Sequence, residues 1–218
     1  MEKIIVIGAG GLAREVRFLI EQINVVNPQY EFLGYLVSDL KSIGEYDSKD
    51  EIIGDFNWLS KNRNVVNVAI GIGNPNHRLK VGNELSKHYQ NIKFPALIHP
   101  NVVFDRKSCE IGKGVIICSS TTMTVNIKLK DYSFINLGCT IGHESIIGQG
   151  CVLNPTVNIS GGVKLGDSVL IGTGSQILQY LEIGSNSILG AGACLTKSIP
   201  DNVIAVGVPA KVIKTLDE

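Results

Sequence analysis

From residue 139 the chain reads CTIGHE (139–144), SIIGQG (145–150), CVLNPT (151–156), VNISGG (157–162), VKLGDS (163–168) and VLIGTG (169–174). The six-residue unit can be followed from Leu97 to Ser198 in one frame. Its third position is Ile, Leu or Met in fifteen consecutive units, from Ile111 to Leu195. The two units before these put His99 and Asp105 there, so the regular structure is expected from about Ile111. Gly follows the aliphatic position in seven units, as Gly112, Gly142, Gly148, Gly166, Gly172, Gly184 and Gly190. Two residues before the aliphatic position sits, in most units, something small or β-branched, such as Cys139, Ser145, Val163 or Ser187. A period of six fits neither an amphipathic helix nor a meander of hairpins. It fits a β-solenoid in which each unit is a short strand and a turn. The aliphatic side chain points inward, and the Gly after it is expected to supply a turn conformation that a Cβ opposes. One unit buries almost nothing alone, whereas stacked units bury a continuous column.

The rest of the composition narrows the class. The 218 residues carry 20 basic and 20 acidic side chains, a net charge of zero, which is no footprint for nucleic acid or an anionic membrane. Hydrophobic residues are 44%, so a disordered chain is excluded. No apolar run approaches the ~18 residues of a membrane span. Met1-Glu2-Lys3 leads at once into a strand-like run and does not read as a signal peptide, so a soluble, cytoplasmic protein is expected. The five Cys form no CxxC pair. Cys109, Cys139 and Cys151 fall on the small inward position, where Cys is an apolar filler and not part of a disulfide framework.

Residues 1–95 lack the repeat and read as α/β, so two domains are expected, 1–95 and 96–218. Lys3 to Ile7, Phe32 to Val37 and Val65 to Ile70 read as strands. Helices are expected from Leu12, with apolar residues at Val16, Leu19, Ile20 and Ile23, and over residues 76–89. Gly8-Ala9-Gly10-Gly11-Leu12-Ala13 matches G-x-G-x-x-A between a strand and a helix, which places backbone N–H groups at a helix N-terminus where a phosphate can bind. The acidic candidate, Asp39, lies 28 residues beyond Gly11 against the usual ~20, and only half of a doubly wound fold fits before the repeat. A mononucleotide or nucleotide-sugar pocket is therefore favoured over a dinucleotide. Its expected residues are Gly8, Gly10, Gly11, Asp39, the Gly73-Asn74 turn and, for phosphate, Arg78.

Of four His, only His143 lies in the clear repeat, two positions beyond Ile141 and next to Glu144, on an outward turn. An outward His beside a carboxylate is a candidate for proton transfer. One His is too few for the three-His zinc centre of a γ-carbonic anhydrase type hydratase on such a helix. A non-catalytic scaffold leaves the glycine loop and this His–Glu turn unexplained.

The unit resembles the hexapeptide repeat of the left-handed parallel β-helix, in which three units make one triangular coil and residues 18 apart stack. A short Rossmann-like domain, this repeat, Ile141-Gly142-His143-Glu144, Gly190-Ala191-Gly192-Ala193 and Gly207-Val208-Pro209-Ala210-Lys211 together resemble bacterial nucleotide-sugar acetyltransferases related to the sialic acid O-acetyltransferases. The resemblance covers nearly the whole chain. It implies an acetyl-CoA-dependent N-acetyltransferase of surface-glycan biosynthesis, acting on a nucleotide-linked 4-amino-4,6-dideoxy sugar, with O-acetylation of sialic acid or a related sugar as the alternative. It implies a homotrimer with acetyl-CoA between adjacent β-helices, and no metal. His143 is then the general base, and Glu144 orients it. Gly161, one coil above, offers its amide to the acetyl carbonyl. Asn136 lies near the amino sugar, Thr173 and Ala191 hold the pantetheine, and Lys211 meets CoA phosphates. Some relatives carry a second His nine residues after the first, where this chain has Val152. Which nucleotide, UDP, dTDP or GDP, stays open.

Overall fold

The computed structural model describes residues 1–45, 47, 49–62 and 64–216. The N-terminal domain is a five-stranded parallel sheet. Strand β1 (Glu2–Ile7) leads through the glycine loop into α1 (Gly11–Val26) and then β2 (Tyr30–Val37). A short β3 (Ile52–Asp55) and α2 (Asn57–Lys61) follow, neither of which was expected from the sequence. Next come β4 (Val66–Ile70), α3 (Pro75–His88) and β5 (Ile92–Lys93). The spatial order is β3-β2-β1-β4-β5, so the direction of winding reverses between β1 and β4. Helix α1 buries Ala13, Val16, Leu19, Ile20 and Ile23, the stripe that helical spacing predicts. β4 is buried along its whole length and β1 from Ile4 to Ile7, as expected of strands covered on both faces.

From Leu97 the chain winds into a three-sided parallel β-helix. Two-residue strands pair 18 residues apart, as in Lys128↔Ile146 and Thr140↔Asn158. The third positions, Ile117, Ile135, Ile141, Ile147, Leu153, Ile171 and Leu189 among them, line one continuous buried core. Cys139 and Cys151 are fully buried in it, and Cys109 packs at its edge. Burial pushes the Cys139 and Cys151 thiols up to about 11 and 12, so they are held as neutral apolar filler.

Two expectations are corrected. First, the helix begins at Leu97. Leu97-Ile98 pairs with Ile116-Ile117, a step of 19 residues, and Val103 bridges Thr122 at the same step. The first coil is one residue longer than the others, so its inward residues are Ile98 and Phe104 and not His99 and Asp105. The extra residue is taken up in a turn where the Cys109 N–H donates to the Asp105 carbonyl and the Ser108 hydroxyl to its carboxylate.

Second, the glycines after the aliphatic position do not supply the left-handed turn. That conformation falls two residues later: every sixth residue from Gly114 to Gly192 has φ between 57° and 71°, whether Gly, Asn, Ser, Thr, Glu or Tyr. Gly142, Gly148, Gly172 and their equivalents are required because the next coil lies against their Cα. A Cβ on Gly148 would meet the Gly166 carbonyl oxygen at 2.0 Å. Gly148→Ala must push adjacent coils apart, so it is expected to cost about 3 kcal/mol, the upper range for overpacking. The Tm should fall by roughly 10 °C in a thermal melt. Gly11→Ala, whose Cβ would meet only the Arg14 side chain at 4.0 Å, should leave the Tm nearly unchanged.

The three faces differ. One carries Glu110, Lys128, Ile146, Lys164 and Glu182, with ion pairs Lys128–Glu110 (2.8 Å) and Lys164–Glu182 (3.0 Å), and is a solvent face. The second presents Ile116, Phe134 and Val152, which share a core with Ile4, Val6, Val16 and Leu19 of the N-terminal domain. The third presents Thr122, Thr140, Asn158, Gln176 and Cys194, with no charge among them. The chain ends in a hairpin, Val203–Gly207 with Ala210–Thr215. Among the described residues no helix is long and apolar enough to cross a membrane.

Candidate active site

The corners of the helix differ as much as its faces. Each corner leaves one backbone N–H per coil, at the fifth position of the unit, outside the strand ladders, except where Pro155 stands. At the corner leading out of the charged face four of these donors are capped by the next coil. The Lys113 N–H donates to Asp131, Gln149 to Asp167 (2.7 Å), Asp167 to the Ser185 hydroxyl and Ser185 to Asp201. At the other two corners, the N–H groups of Gly161, Thr173 and Ala191 have no partner among the described residues. Thr173 and Ala191 are exposed and stack one coil apart, so that corner carries a column of free donors.

His143 and Glu144 occupy the corner after the uncharged face. Their side chains are half exposed, and His143 Nδ1 lies 3.4 Å from Glu144 Oε2. The imidazole is laid flat against the next coil: the position a Cβ on Gly161 would take is 2.4 Å from His143 Nε2 and 2.5 Å from Cε1. Gly161 is thus buried beneath the ring, and its lack of a side chain seats the imidazole as well as freeing an amide. With Nδ1 turned to the carboxylate, Nε2 is the nitrogen left to take a proton.

Asn136 is on a different corner, one face away from His143 in the same chain. Its Oδ1 accepts the Leu137 N–H (2.8 Å), and its carbonyl accepts the Thr121 hydroxyl. It lines a small cavity with Glu15, Leu19 and Gln22 of α1 and with Cys118. Burial pushes the Cys118 thiol up to about 12, which removes it as a nucleophile. Val152 is buried in the core shared with the N-terminal domain. Lys211 is exposed on the terminal hairpin, opposite Val206.

In the N-terminal domain, the loops after β1 and β4 lie side by side at the point where the sheet reverses direction, where ligands of open α/β sheets bind. A Cβ on Gly8 would meet the Gly71 carbonyl at 3.1 Å, and one on Gly73 would meet Leu12 at 3.5 Å. Gly10 caps α1 with no side-chain hydrogen bond. Asp39 follows β2, and its carboxylate accepts the Lys41 N–H (2.9 Å). The Asn74 side-chain oxygen is spent on capping α3, through the His77 N–H (2.9 Å). Arg78 is corrected. It is fully buried, donating to the carbonyls of Ile70, Ile72 and Tyr132 with its guanidinium over the Phe134 ring. Desolvation pulls it down to about 9. It ties α3 and β4 to the β-helix and presents nothing to a phosphate. No group of three or more His, Cys, Asp or Glu able to hold a metal occurs among the described residues.

This pairing of a glycine-loop α/β domain with a triangular β-helix recurs in known proteins. Residues 3–85 match the PglD N-terminal domain family. WeeI from Acinetobacter baumannii is 29% identical, with a TM-score of 0.82 over 98% of this chain and 100% of that one. The perosamine N-acetyltransferase of Caulobacter crescentus, solved with CoA and GDP-perosamine, is 24% identical, with a TM-score of 0.84 over 98% of both chains. The galactoside O-acetyltransferase of Escherichia coli is 31% identical over 116 residues, 53% of this chain and 48% of that protein. The chain spans about half or less of the length of the curated relatives it matches, 38%, 54% and 48% for three of them.

Proposed function

We propose that the chain transfers the acetyl group of acetyl-CoA to the amine of a nucleotide-linked amino sugar of the 4-amino-4,6-dideoxy type. One observation carries the reading: an imidazole with Nδ1 turned to a carboxylate and Nε2 held against a glycine whose N–H is unpartnered. The amine nitrogen attacks the thioester carbonyl, and the C–S bond breaks to release the CoA thiolate. His143 Nε2 accepts the proton that the nitrogen loses and returns it to the sulfur. Glu144 supports the imidazolium, and the Gly161 N–H meets the developing oxyanion. The pantetheine arm takes the free donors of Thr173 and Ala191, with Lys211 near the CoA phosphates. Gly8, Gly10, Gly11, Asp39 and Gly73 form the nucleotide pocket. The structural likeness to an N-acetyltransferase solved with CoA and a GDP-linked amino sugar supports the substrate class. The sequence likeness to an O-acetyltransferase favours a second reading, in which the same His–Glu pair deprotonates a sugar hydroxyl. A panel of UDP-, dTDP- and GDP-linked amino sugars and their hydroxyl counterparts, read by mass, separates the two. The first reading requires a single added acetyl on amino sugars only, and acetylation of hydroxyl sugars alone overturns it.

We propose further that the working form is a homotrimer, assembled in the cytoplasm. Within one chain His143 and Gly161 stand at one corner, while Asn136, Thr173 and Ala191 stand at another, with the uncharged face between them. Cyclic packing that buries this face sets one chain's His143 corner against the next chain's donor column. Light scattering should report three chains per particle. A monomer at working concentration would leave the site divided and overturn the assembly.

A further inference from the structure

Tyr180 stands two coils above Glu144 on the corner of His143. Its backbone is in the left-handed region (φ 60°), which a bulky side chain enters at a cost. Its ring folds back onto the preceding coil, where a Cβ on Gly162 would meet Tyr180 Cδ1 at 2.3 Å. The adjoining glycines Gly161 and Gly162 therefore form one notch, with the His143 imidazole laid on the first and the Tyr180 ring on the second.

Tyr132 uses the same device elsewhere in the helix. It too is a corner residue with φ 60°, and its ring lies on Gly114. There the chain covers the ring itself: Gly82 and Phe94 close over it and Tyr132 is fully buried. Tyr180 is 65% exposed, and Leu178 beside it is 47% exposed. Nothing among the described residues covers this second ring, although the glycine it lies on adjoins the one beneath the imidazole.

The direction of the solenoid says what does. The N-terminal domain packs on Ile116, Phe134 and Val152, the face across the helix from this corner, so it leaves the Tyr180 ring uncovered. In the trimer proposed above, the next chain's free donors at Thr173 and Ala191 face this corner on coils later than that of His143, and Tyr180 stands at the coil level of Thr173. Coils are about 4.8 Å apart, so a ring spanning one coil lies within contact of a chain leaving the Gly161 amide toward those donors.

We infer that Tyr180 is a substrate-contacting residue whose ring packs against the thioester end of the pantetheine arm and holds the acyl carbonyl beside His143. The inference rests on the acetyl-CoA reading of the site. Tyr180→Asn tests it without disturbing the corner, because Asn enters the left-handed region readily. It should raise KM for acetyl-CoA, and Kd for CoA in a calorimeter, by about tenfold, the size of one lost aromatic contact. KM for the nucleotide sugar should stay within about twofold, and Tyr180→Phe should behave as wild type. Unchanged acetyl-CoA KM and CoA Kd in Tyr180→Asn, or a change confined to the sugar KM, overturns the inference. A wild-type chain that binds no CoA overturns the acetyl-CoA reading and this inference with it.

Discussion

His143→Ala is expected to lower kcat by about 10²–10⁴, the range for loss of a general base. The fold should be unaffected, since the side chain is half exposed and supports no core. Far-UV circular dichroism and the thermal midpoint should therefore match wild type. KM for the nucleotide sugar should change little, because the pocket around Gly8, Gly10 and Gly73 is built from other elements. The pH profile of kcat/KM should lose the limb on which activity rises with pH, because that limb reports deprotonation of the base. Glu144→Ala should cost less, since the carboxylate acts through the imidazole at 3.4 Å and touches no reacting atom. A His143→Ala enzyme retaining more than about a third of wild-type kcat, with chemistry rate-limiting, would move the base elsewhere.

The inward column was legible because burial selects one chemistry at one position: an aliphatic residue every sixth place from Ile111 to Leu195 is a signal that neither an amphipathic helix nor a meander of hairpins produces. The left-handed corner was not. The coil imposes that conformation on whatever stands there, and Ser120, Asn126, Tyr132, Glu144 and Thr156 have no chemistry in common. The glycines drew attention instead, and they answer a different demand, the approach of the next coil. The first coil was misread for a related reason. One added residue in the Asp105–Cys109 turn puts Ile98 and Phe104 out of frame, and a strict six-residue count cannot follow it. His143 was legible as an outward polar residue among inward aliphatics. Arg78 was not legible as a buried tie, because its partners are carbonyls of Ile70, Ile72 and Tyr132 that only tertiary structure brings together. The uncapped donors of Thr173 and Ala191 are visible only by contrast with the Asp131, Asp167 and Asp201 caps at another corner.

Gly161→Ala is the substitution that separates the two services of that glycine. The backbone tolerates it, since Gly161 is not among the positive-φ glycines. The new Cβ would stand 2.4 Å from His143 Nε2, and the nearest atoms to it all belong to the imidazole. An exposed ring can swing away, so the coil should hold and the base should leave its seat. The expected result is a fall in kcat of about 10²-fold, comparable to a misplaced catalytic group, with little change in Tm. The double variant with His143→Ala decides how the loss arises. If Gly161→Ala acts by unseating the imidazole, it should add almost nothing once His143 is gone. If it acts by blocking the N–H that meets the oxyanion, the double variant should lose a further ~10²-fold beyond His143→Ala alone. The 2.4 Å approach to Nε2, against an N–H that lies in the backbone beneath the ring, favours the first outcome. Full additivity would instead make the amide the more important of the two and the seat incidental.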